Sequence, residues 1–410
     1  MNIKIKSLLA VMVAIFIGCS DNTTKEQGNM NNTGTSYGEA RQFLGKYTDI
    51  IELKSGSSAV LISPEWQGRV MTSTCDGEQG FSFGWINREL ISSGDTLDHI
   101  NPFGGEERLW LGPEGGQFAL FFEKGSPFEY EYWQTPDILD TEEFIIDSLS
   151  KEEAIFTKRG ELTNYSGYDF NFHIERRVKI LSLAETESIL KTNLENVHAV
   201  AYKSENNLRN TGDNKWTEEK GLISIWMLGM FNPSPSSVVI IPVKKGSLKE
   251  LGPEVNDNYF GSIPGERLVV KDNIVFFKAD GQSRGKIGIP PLRSNDIMAS
   301  YDPDNNALTF LICDIPDGET RFVNSAWELQ DDPYSGDALN SYNDGPLEDG
   351  SIMGPFYELE SSSPALSLSP GEDYVHIQST VHITGPENEL DQICKKLIGV
   401  DLSEIQNAFN

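Results

Sequence analysis

Basic residues are scarce in this sequence, and their shortage excludes a class of partner. Only 33 of the 410 residues are lysine or arginine, against 62 acidic residues, which gives a formal net charge of −29. We expect no nucleic-acid partner, because neutralising phosphates requires clustered basic side chains. A charge this negative suits a soluble protein of the cell envelope.

Cysteines and the common catalytic motifs are also scarce. After Cys19, the chain has Cys75, Cys313 and Cys394, with no CxxC pair, so neither a zinc site nor a disulfide framework is implied. One pair can still form in an oxidising compartment. The P-loop, the Rossmann fingerprint, Gly-x-Ser-x-Gly and His-Glu-x-x-His are missing, which removes the usual support for phosphoryl transfer, nucleotide redox chemistry, ester hydrolysis and zinc proteolysis. We predict no metal and no cofactor.

The N-terminal apolar run, residues 8–17, is shorter than the roughly twenty residues that span a bilayer. It follows two lysines and ends at Gly18-Cys19, which resembles the lipobox cut by the lipoprotein signal peptidase. Residues 1–19 are therefore predicted to be a lipoprotein signal peptide, with Cys19 as the lipidated residue. The alternative is an ordinary secretory signal in which the cysteine is incidental.

A polar segment, residues 20–37, follows the predicted signal peptide. It is rich in Asn, Thr, Ser and Gly and contains almost no apolar side chains. This composition is typical of a flexible tether between a lipid and a folded body. We expect the protein in the cell envelope of a Gram-negative-type bacterium, anchored by its lipid to a membrane and facing the periplasm or the cell surface.

The rest of the chain has the pattern of a β-protein. Residues 37–46 predict one short helix, and residues 50–53, 59–62 and 118–122 are short apolar segments bounded by Gly, Ser and Pro, which predict strands. Residues 170–180 alternate for most of their length, so one face of that strand is expected to be buried.

Helical periodicity is convincing in a single place, after Pro386, where apolar residues share one face before Gly399. Many short strands without a βαβ rhythm favour one large antiparallel β-sandwich, an all-β fold with short terminal helices. We therefore predict a single sandwich domain over residues 38–385 and a helical segment, residues 386–410, that packs on it.

A glycine-rich stretch, residues 103–118, contains five glycines and carries Glu106, Glu107, Arg108 and Trp110. Glycines at this density indicate backbone that turns sharply or approaches something closely. Charges alternating with aromatic rings suit a sugar, which needs bidentate hydrogen bonds and a flat surface for stacking. The alternative is a pair of tight turns in which Arg108 bonds to neighbouring carboxylates.

Two segments resemble a known family. Glu-Leu-Glu-Ser-Ser-Ser-Pro at 358–364, followed by Leu-Ser-Pro-Gly-Glu at 368–372, resembles the C-terminal signature of aldose 1-epimerases, the galactose mutarotases. Gly-Gly-x-x-Arg-x-Trp at 104–110, together with 133–136 and 340–346, resembles uncharacterised proteins of the same fold, many of them in the envelope. The resemblance covers about residues 38–398.

The resemblance implies a supersandwich of antiparallel sheets with a sugar on a concave face. It also implies a glutamate base, which falls on Glu360, with Glu358 as the fallback, because residues two apart on a strand share a face. Alternatively, both glutamates pair with Arg or Lys on a neighbouring strand. The acid histidine of the family is missing from the expected strand, residues 222–231, where Trp226 stands instead. His99, in the loop before the glycine-rich stretch, is the remaining candidate acid.

Three functions follow as hypotheses. The first is carbohydrate binding, the second is an aldose 1-epimerase with Glu360 as general base, and the third is a structural envelope component that binds no sugar. The predicted ligand-binding residues are Glu106, Glu107, Arg108, Trp110, Trp133, Trp226, Asn343 and Asp344.

Overall fold

The computed structural model describes residues 35–347 and 349–410. The predicted signal peptide, Cys19 and residues 20–34 of the predicted tether lie outside the described residues. Within the described part, no helix is long and apolar enough to cross a bilayer.

Strands make up most of the regular structure. In chain order they are β1 Ile51–Ser55, β2 Ser58–Ser63, β3 Arg69–Thr74, β4 Arg108–Gly112, β5 Ile145–Leu149, β6 Glu153–Thr163, β7 Asp169–Ile180, β8 His198–Asn210, β9 Ser224–Phe231, β10 Val238–Pro242, β11 Leu268–Lys271, β12 Ile274–Lys278, β13 Gly285–Ile289, β14 Ile297–Asp302, β15 Ala307–Cys313, β16 Leu339–Asn343, β17 Tyr357–Ser362 and β18 Asp373–Thr384. The α-helices are α1 Tyr37–Leu44, α2 Arg88–Ser93, α3 Leu183–Leu190, α4 Leu248–Leu251, α5 Glu387–Leu397 and α6 Leu402–Gln406.

These strands form three antiparallel sheets. The largest has the order β11-β12-β10-β14-β15-β18-β8-β7-β6-β5, the second has the order β13-β16-β17-β9-β4, and β1-β2-β3 form the third. The second sheet joins strands that are far apart in the chain, since β4 lies beside β9 and β9 lies beside β17. The prediction of a large antiparallel β-sandwich is confirmed.

The core lies between the ten-stranded and five-stranded sheets. Leu109 and Met227 of the five-stranded sheet share one apolar cluster with Phe172 and Val178 of β7. Farther along, Leu359 packs in a second cluster with strands β10, β12 and β15. The five-stranded sheet is buried on both faces, since Trp110 and Trp226 of the opposite face belong to the same apolar cluster as Leu109.

Strand β7 shows how local pattern sets burial. Its residues alternate between buried and more exposed positions along its length, as the sequence predicts. Helix α5 follows Pro386 as expected, and its buried Leu390 and Ile393 pack in a cluster with strands of the ten-stranded sheet.

Two features of the chain differ from the sequence interpretation. Residues 118–122 do not form a strand, and within this segment Phe121 packs against Trp110 and stacks on Trp133. The sequence analysis does not predict helix α3, although Ser182 and Glu185 have the spacing of a capping box. The side chain of Ser182 accepts a hydrogen bond from the backbone of Glu185, and the Glu185 carboxylate accepts one from the backbone of Ser182.

Candidate functional site

The other face of the five-stranded sheet collects buried charged side chains from the chain's most unusual motifs. Because side chains alternate along each strand, residues opposite one another in register lie on the same face. This surface, called the site face below, carries Arg108, Trp110, Ser224, Trp226, Lys286, Asn340, Glu358 and Glu360.

Glu360 lies at the centre of the site face and is fully buried. Its Oε2 accepts hydrogen bonds from the indole Nε1 of Trp226 at 2.8 Å and from Nζ of Lys286 at 3.0 Å. Lys286 also lies 4.7 Å from the ring centre of Trp226. Oε1 of Glu360 has no hydrogen-bond partner among the described residues. One carboxylate oxygen is therefore held by the protein, and the other is buried without a partner among the described residues.

Glu358 lies two residues away on the same face and is also buried. Nη2 of Arg108 donates to it at 2.9 Å, and the Arg108 guanidinium stacks 4.2 Å from the ring centre of Trp110. Burial raises the pKa of Glu358 to about 7, the nearby Arg108 opposes this rise, and the charge of Glu360 adds to it. The two glutamates therefore differ in environment: the pKa of Glu358 is raised to about 7, and Glu360 contacts a lysine.

A cleft opens at one end of the site face. It is narrow, with a cavity volume of about 20 Å³, and is lined by Ser224, Trp226, Lys286 and three residues from loops, Glu114, Tyr259 and Asp337. Burial raises the pKa of Asp337 to about 6, although the Tyr259 hydroxyl donates to it at 2.8 Å. Burial likewise raises the pKa of Glu114.

Several polar atoms on this face have no partner among the described residues. They are Nε and Nη1 of Arg108, Nε1 of Trp110, Oγ of Ser224 and Oε1 of Glu360. A buried polar atom without a partner costs about 1–3 kcal/mol, so native proteins usually satisfy such atoms with water or ligand. The set contains both donors and an acceptor, which matches a ligand rich in hydroxyl groups.

Glu106 and Glu107 do not belong to the site face, and that they bind ligand stays a prediction. Both are fully buried between sheets. Glu106 accepts from Oγ of Ser73 at 2.9 Å and faces Nε2 of His382 at 3.0 Å. Glu107 accepts from Arg176 at 2.7 Å and from Nε2 of Gln378 at 2.8 Å. Because these carboxylates are already bound by the protein, they hold the sheets together.

The side chain of Asn343 is bound within the protein, and its role in ligand binding stays a prediction. Its side chain accepts from the backbone of Gly281 and donates to the carbonyl of Ser283, so it fixes the turn before β13. Asp344 follows at the end of β16, where the Tyr342 hydroxyl donates to it at 2.5 Å. Burial raises the pKa of Asp344, and its oxygens are used within the protein.

Trp133 and His99 lie beside the site face instead of on it. Trp133 stacks on Phe121, which in turn packs against Trp110, so Trp133 supports the site through an intervening ring. Nδ1 of His99 lies 2.6 Å from the carbonyl oxygen of Trp133, and its ring packs against Tyr130. His99 therefore contacts Trp133 and Tyr130, and its role as an acid stays a prediction.

The sequence interpretation missed Lys286, Tyr259, Asp337 and Glu114 as site residues. Glu114 lies in the glycine-rich stretch and was visible there, but Lys286 stands in a short strand with no motif around it. His376 and His382 of β18 are both buried. His376 Nε2 lies 2.8 Å from Oγ of Ser361, on the inner side of β17.

Comparisons with known proteins bear on the fold. The Slr1438 protein of Synechocystis aligns with 83% of this chain and 96% of its own at 12% identity and a TM-score of 0.50, which shows a shared fold. A galactose mutarotase-like protein of Lactobacillus casei covers 82% of this chain and 99% of its own, at 12% identity and a TM-score of 0.46. A galactose mutarotase related enzyme of Lactobacillus acidophilus covers 82% and 97%, at 11% identity and a TM-score of 0.46.

The predicted large antiparallel β-sandwich is thus confirmed as a fold, which this chain shares with the Slr1438 protein. No protein with a curated description matches the sequence. Residues 35–409 match the sequence profile of a family described as a family of unknown function (DUF6786). Any activity has to be argued from the residues of the site face.

Proposed function

This chain belongs to the family of unknown function DUF6786, and we propose that it binds a carbohydrate on the site face. The observation that carries the proposal is the set of unpartnered polar atoms on Arg108, Trp110, Ser224 and Glu360. A sugar hydroxyl donates one hydrogen bond and accepts others, so a sugar ring can satisfy the carboxylate oxygen and the surrounding donors together. Trp110 and Trp226 add flat apolar surface beside these groups.

Calorimetric titration of the full chain, purified in detergent, with a panel of mono- and oligosaccharides tests the proposal. Glu360→Gln keeps the shape of the side chain and removes its charge, so we expect at least about a tenfold loss of affinity. Glu123→Gln changes an exposed glutamate and serves as the matched control. If the wild type binds no sugar in the panel, the structural envelope role is favoured instead.

A second candidate function is the epimerase that the sequence resemblance implies. The observation that favours it is the pair of buried glutamates on one face, because Glu358 has a pKa raised to about 7 while Glu360 contacts Lys286. Mutarotation needs a base at the anomeric hydroxyl and an acid at the ring oxygen. In this chain Glu360 would be the base, and a protonated Glu358 would take the place of the missing histidine.

Polarimetry of a freshly dissolved α-anomer, with wild type and Glu360→Gln side by side, decides between binding and catalysis. Each acid or base typically contributes about 10²–10⁴-fold, and Trp226 replaces the expected histidine, so we expect weak or absent activity on glucose and galactose. Fast interconversion that Glu360→Gln abolishes would identify an enzyme. Equal inactivity of both proteins would support a site that only binds.

We also propose that the sandwich is held at a membrane by a lipid on Cys19. The supporting observation is the sequence pattern of residues 1–37, a short apolar run ending at Gly18-Cys19 followed by a polar segment. A carbohydrate-binding body in the cell envelope would meet the polysaccharides and oligosaccharides of that compartment.

A further inference from the structure

A second cavity, called the loop cavity below, lies at one end of the ten-stranded sheet. Its volume is about 440 Å³, within the range of about 300–1,000 Å³ that is typical of small-molecule sites. Tyr168, Asp169 and Asn171 line it from the β6–β7 turn and the start of β7, and residues 210–214 with Trp216 line it from the end of β8. The loop cavity shares no lining residue with the cleft of the site face.

Hydrogen bonds within the protein hold both walls of the loop cavity in shape. Asn210 is fully buried; its Nδ2 donates to the carbonyl oxygen of Asn214 at 2.9 Å, and its Oδ1 accepts from the backbone nitrogen of Gly212 at 2.9 Å. In the β6–β7 turn, Oδ1 of Asn164 accepts from the backbone nitrogen of Tyr168 at 3.0 Å. Both walls are therefore formed before a ligand arrives, which lowers the ordering cost of binding.

The lining combines aromatic rings with polar groups that the protein does not use. Trp216 is 1% exposed and packs edge-to-face on Phe170, with ring centres 5.3 Å apart, so its ring is fixed. Oδ1 of Asp169 accepts from the Thr163 hydroxyl at 2.6 Å. Among the residues that the structure describes, the hydrogen bonds of this region leave several lining groups unused: Oδ2 of Asp169 and the side chains of Asn171, Asp213 and Asn214.

Three classes of ligand can be compared for this lining. An anion would meet the carboxylates of Asp169 and Asp213, and none of the described residues that line the cavity is basic. A metal ion is not favoured, because the described residues contain no group of three acidic, histidine or cysteine side chains that could hold one. A sugar offers hydroxyl groups to carboxylates and amides, and an apolar ring face to an aromatic side chain. We propose that the loop cavity is a second carbohydrate site, separate from the site face, for a sugar without acidic groups.

Calorimetry on the full chain in detergent tests the inference with glucose, galactose, mannose and N-acetylglucosamine, and with glucuronate and galacturonate as acidic counterparts. We expect Asp213→Asn to weaken binding at the loop cavity at least about tenfold, because a hydrogen bond to a carboxylate is stronger than one to an amide. Asp317→Asn, at an exposed aspartate of another loop, is the matched control and should change nothing. Each acidic sugar should bind at least about tenfold more weakly than its neutral counterpart.

Gly212→Leu blocks the loop cavity without removing a hydrogen-bonding side chain. A Cβ atom at Gly212 would lie 3.4 Å from Oδ1 of Asn210 and 3.5 Å from Cβ of Asn171, which is ordinary van der Waals contact, so we expect the variant to fold. Its side chain should fill the space and reduce affinity at this site at least about tenfold. Gly265→Leu adds the same side chain where a Cβ meets nothing within 4 Å, and serves as the control.

The two carbohydrate sites can be told apart by their variants. Binding that Gly212→Leu and Asp213→Asn weaken and Glu360→Gln leaves intact would support the loop cavity and count against the site face. Binding that only Glu360→Gln weakens would overturn the loop cavity and leave the site face standing. Acidic sugars that bind as tightly as neutral ones would overturn the proposed ligand class. If no sugar binds the wild type, both sites fail as carbohydrate sites.

Discussion

At the scale of single residues, Arg108 serves both the fold and the site. It is 3% exposed, and its guanidinium is the cation paired with the buried Glu358. Truncating it leaves a buried carboxylate without its counter-charge, so we expect Arg108→Ala to lower the free energy of unfolding by about 3–5 kcal/mol. Urea unfolding followed by tryptophan fluorescence measures this change.

The control for that measurement is Arg209→Ala, because Arg209 pairs with Asp373 at the surface, where an ion pair contributes about 0–1 kcal/mol. The double replacement of Arg108 and Glu358 by methionine should recover much of the lost stability, since no buried charge remains. An Arg108→Ala protein as stable as the Arg209→Ala protein would show that the buried pair is not formed.

Glu358 should make stability depend on pH in a definite direction. Its pKa is raised from 4.5 to about 7 in the folded protein, mainly by burial. The folded state therefore binds more protons than the unfolded state between these values, and the free energy of unfolding falls as pH rises, by about 1.4 kcal/mol per unit. This contribution is fully present below pH 4.5 and lost above pH 7.

Glu358→Gln cannot titrate, so the difference in unfolding free energy between wild type and variant isolates this carboxyl from the other acids. We expect the difference to fall between pH 4.5 and 7 and to stay level above pH 7. Parallel curves for the two proteins across this range would contradict the raised pKa.

At the scale of elements, Glu107 joins strands that are distant in the chain. Glu107 directly precedes β4, and its carboxylate accepts hydrogen bonds from Arg176 of β7 and from Gln378 of β18. Arg176 is fully buried, so Glu107→Ala should leave an unpaired guanidinium in the core and cost about 3–5 kcal/mol of unfolding free energy. Glu161→Ala, on an exposed part of β6, is the control and should change stability by less than about 0.5 kcal/mol.

Sugar affinity is a second measurement on the Glu107→Ala variant. If Glu107 bound a sugar and did not join strands, Glu107→Ala would unfold like the control and would lose affinity for ligand. Equal melting of the two variants, combined with weaker sugar binding, would therefore restore the ligand-binding role predicted from the sequence.

At the scale of the whole molecule, the predicted anchor decides where the site face operates. Cys19 is expected to carry the lipid, because a short apolar run ends at Gly18-Cys19 and a polar segment follows. Fractionation of cells that express wild type or Cys19→Ala tests this expectation. We expect the wild type in the membrane fraction and the variant in the soluble fraction. Release of both into the soluble fraction would contradict the anchor.

The sequence by itself determined the fold class and the position of the two key glutamates. Burial alternates along β7, and residues two apart on a strand such as Glu358 and Glu360 of β17 share a face; both rules are local, so they can be applied without coordinates. The helix at the end of the sandwich could also be predicted from the sequence, because Pro386 precedes helix α5 and Gly399 follows its C-cap residue.

Tertiary structure alone decided which charges meet. Arg108 and Glu358 are 250 residues apart in the chain, and their pairing depends on the strand order β4-β9-β17, which no local pattern encodes. Lys286 reaches the site from β13, the edge strand opposite β4 in the same sheet. Glu106 and Glu107 are buried in the core, although they directly precede Arg108 in the chain. Burial and counter-charge are properties of the assembled sheets, and they separate the acids that hold the fold together from those proposed to bind a ligand.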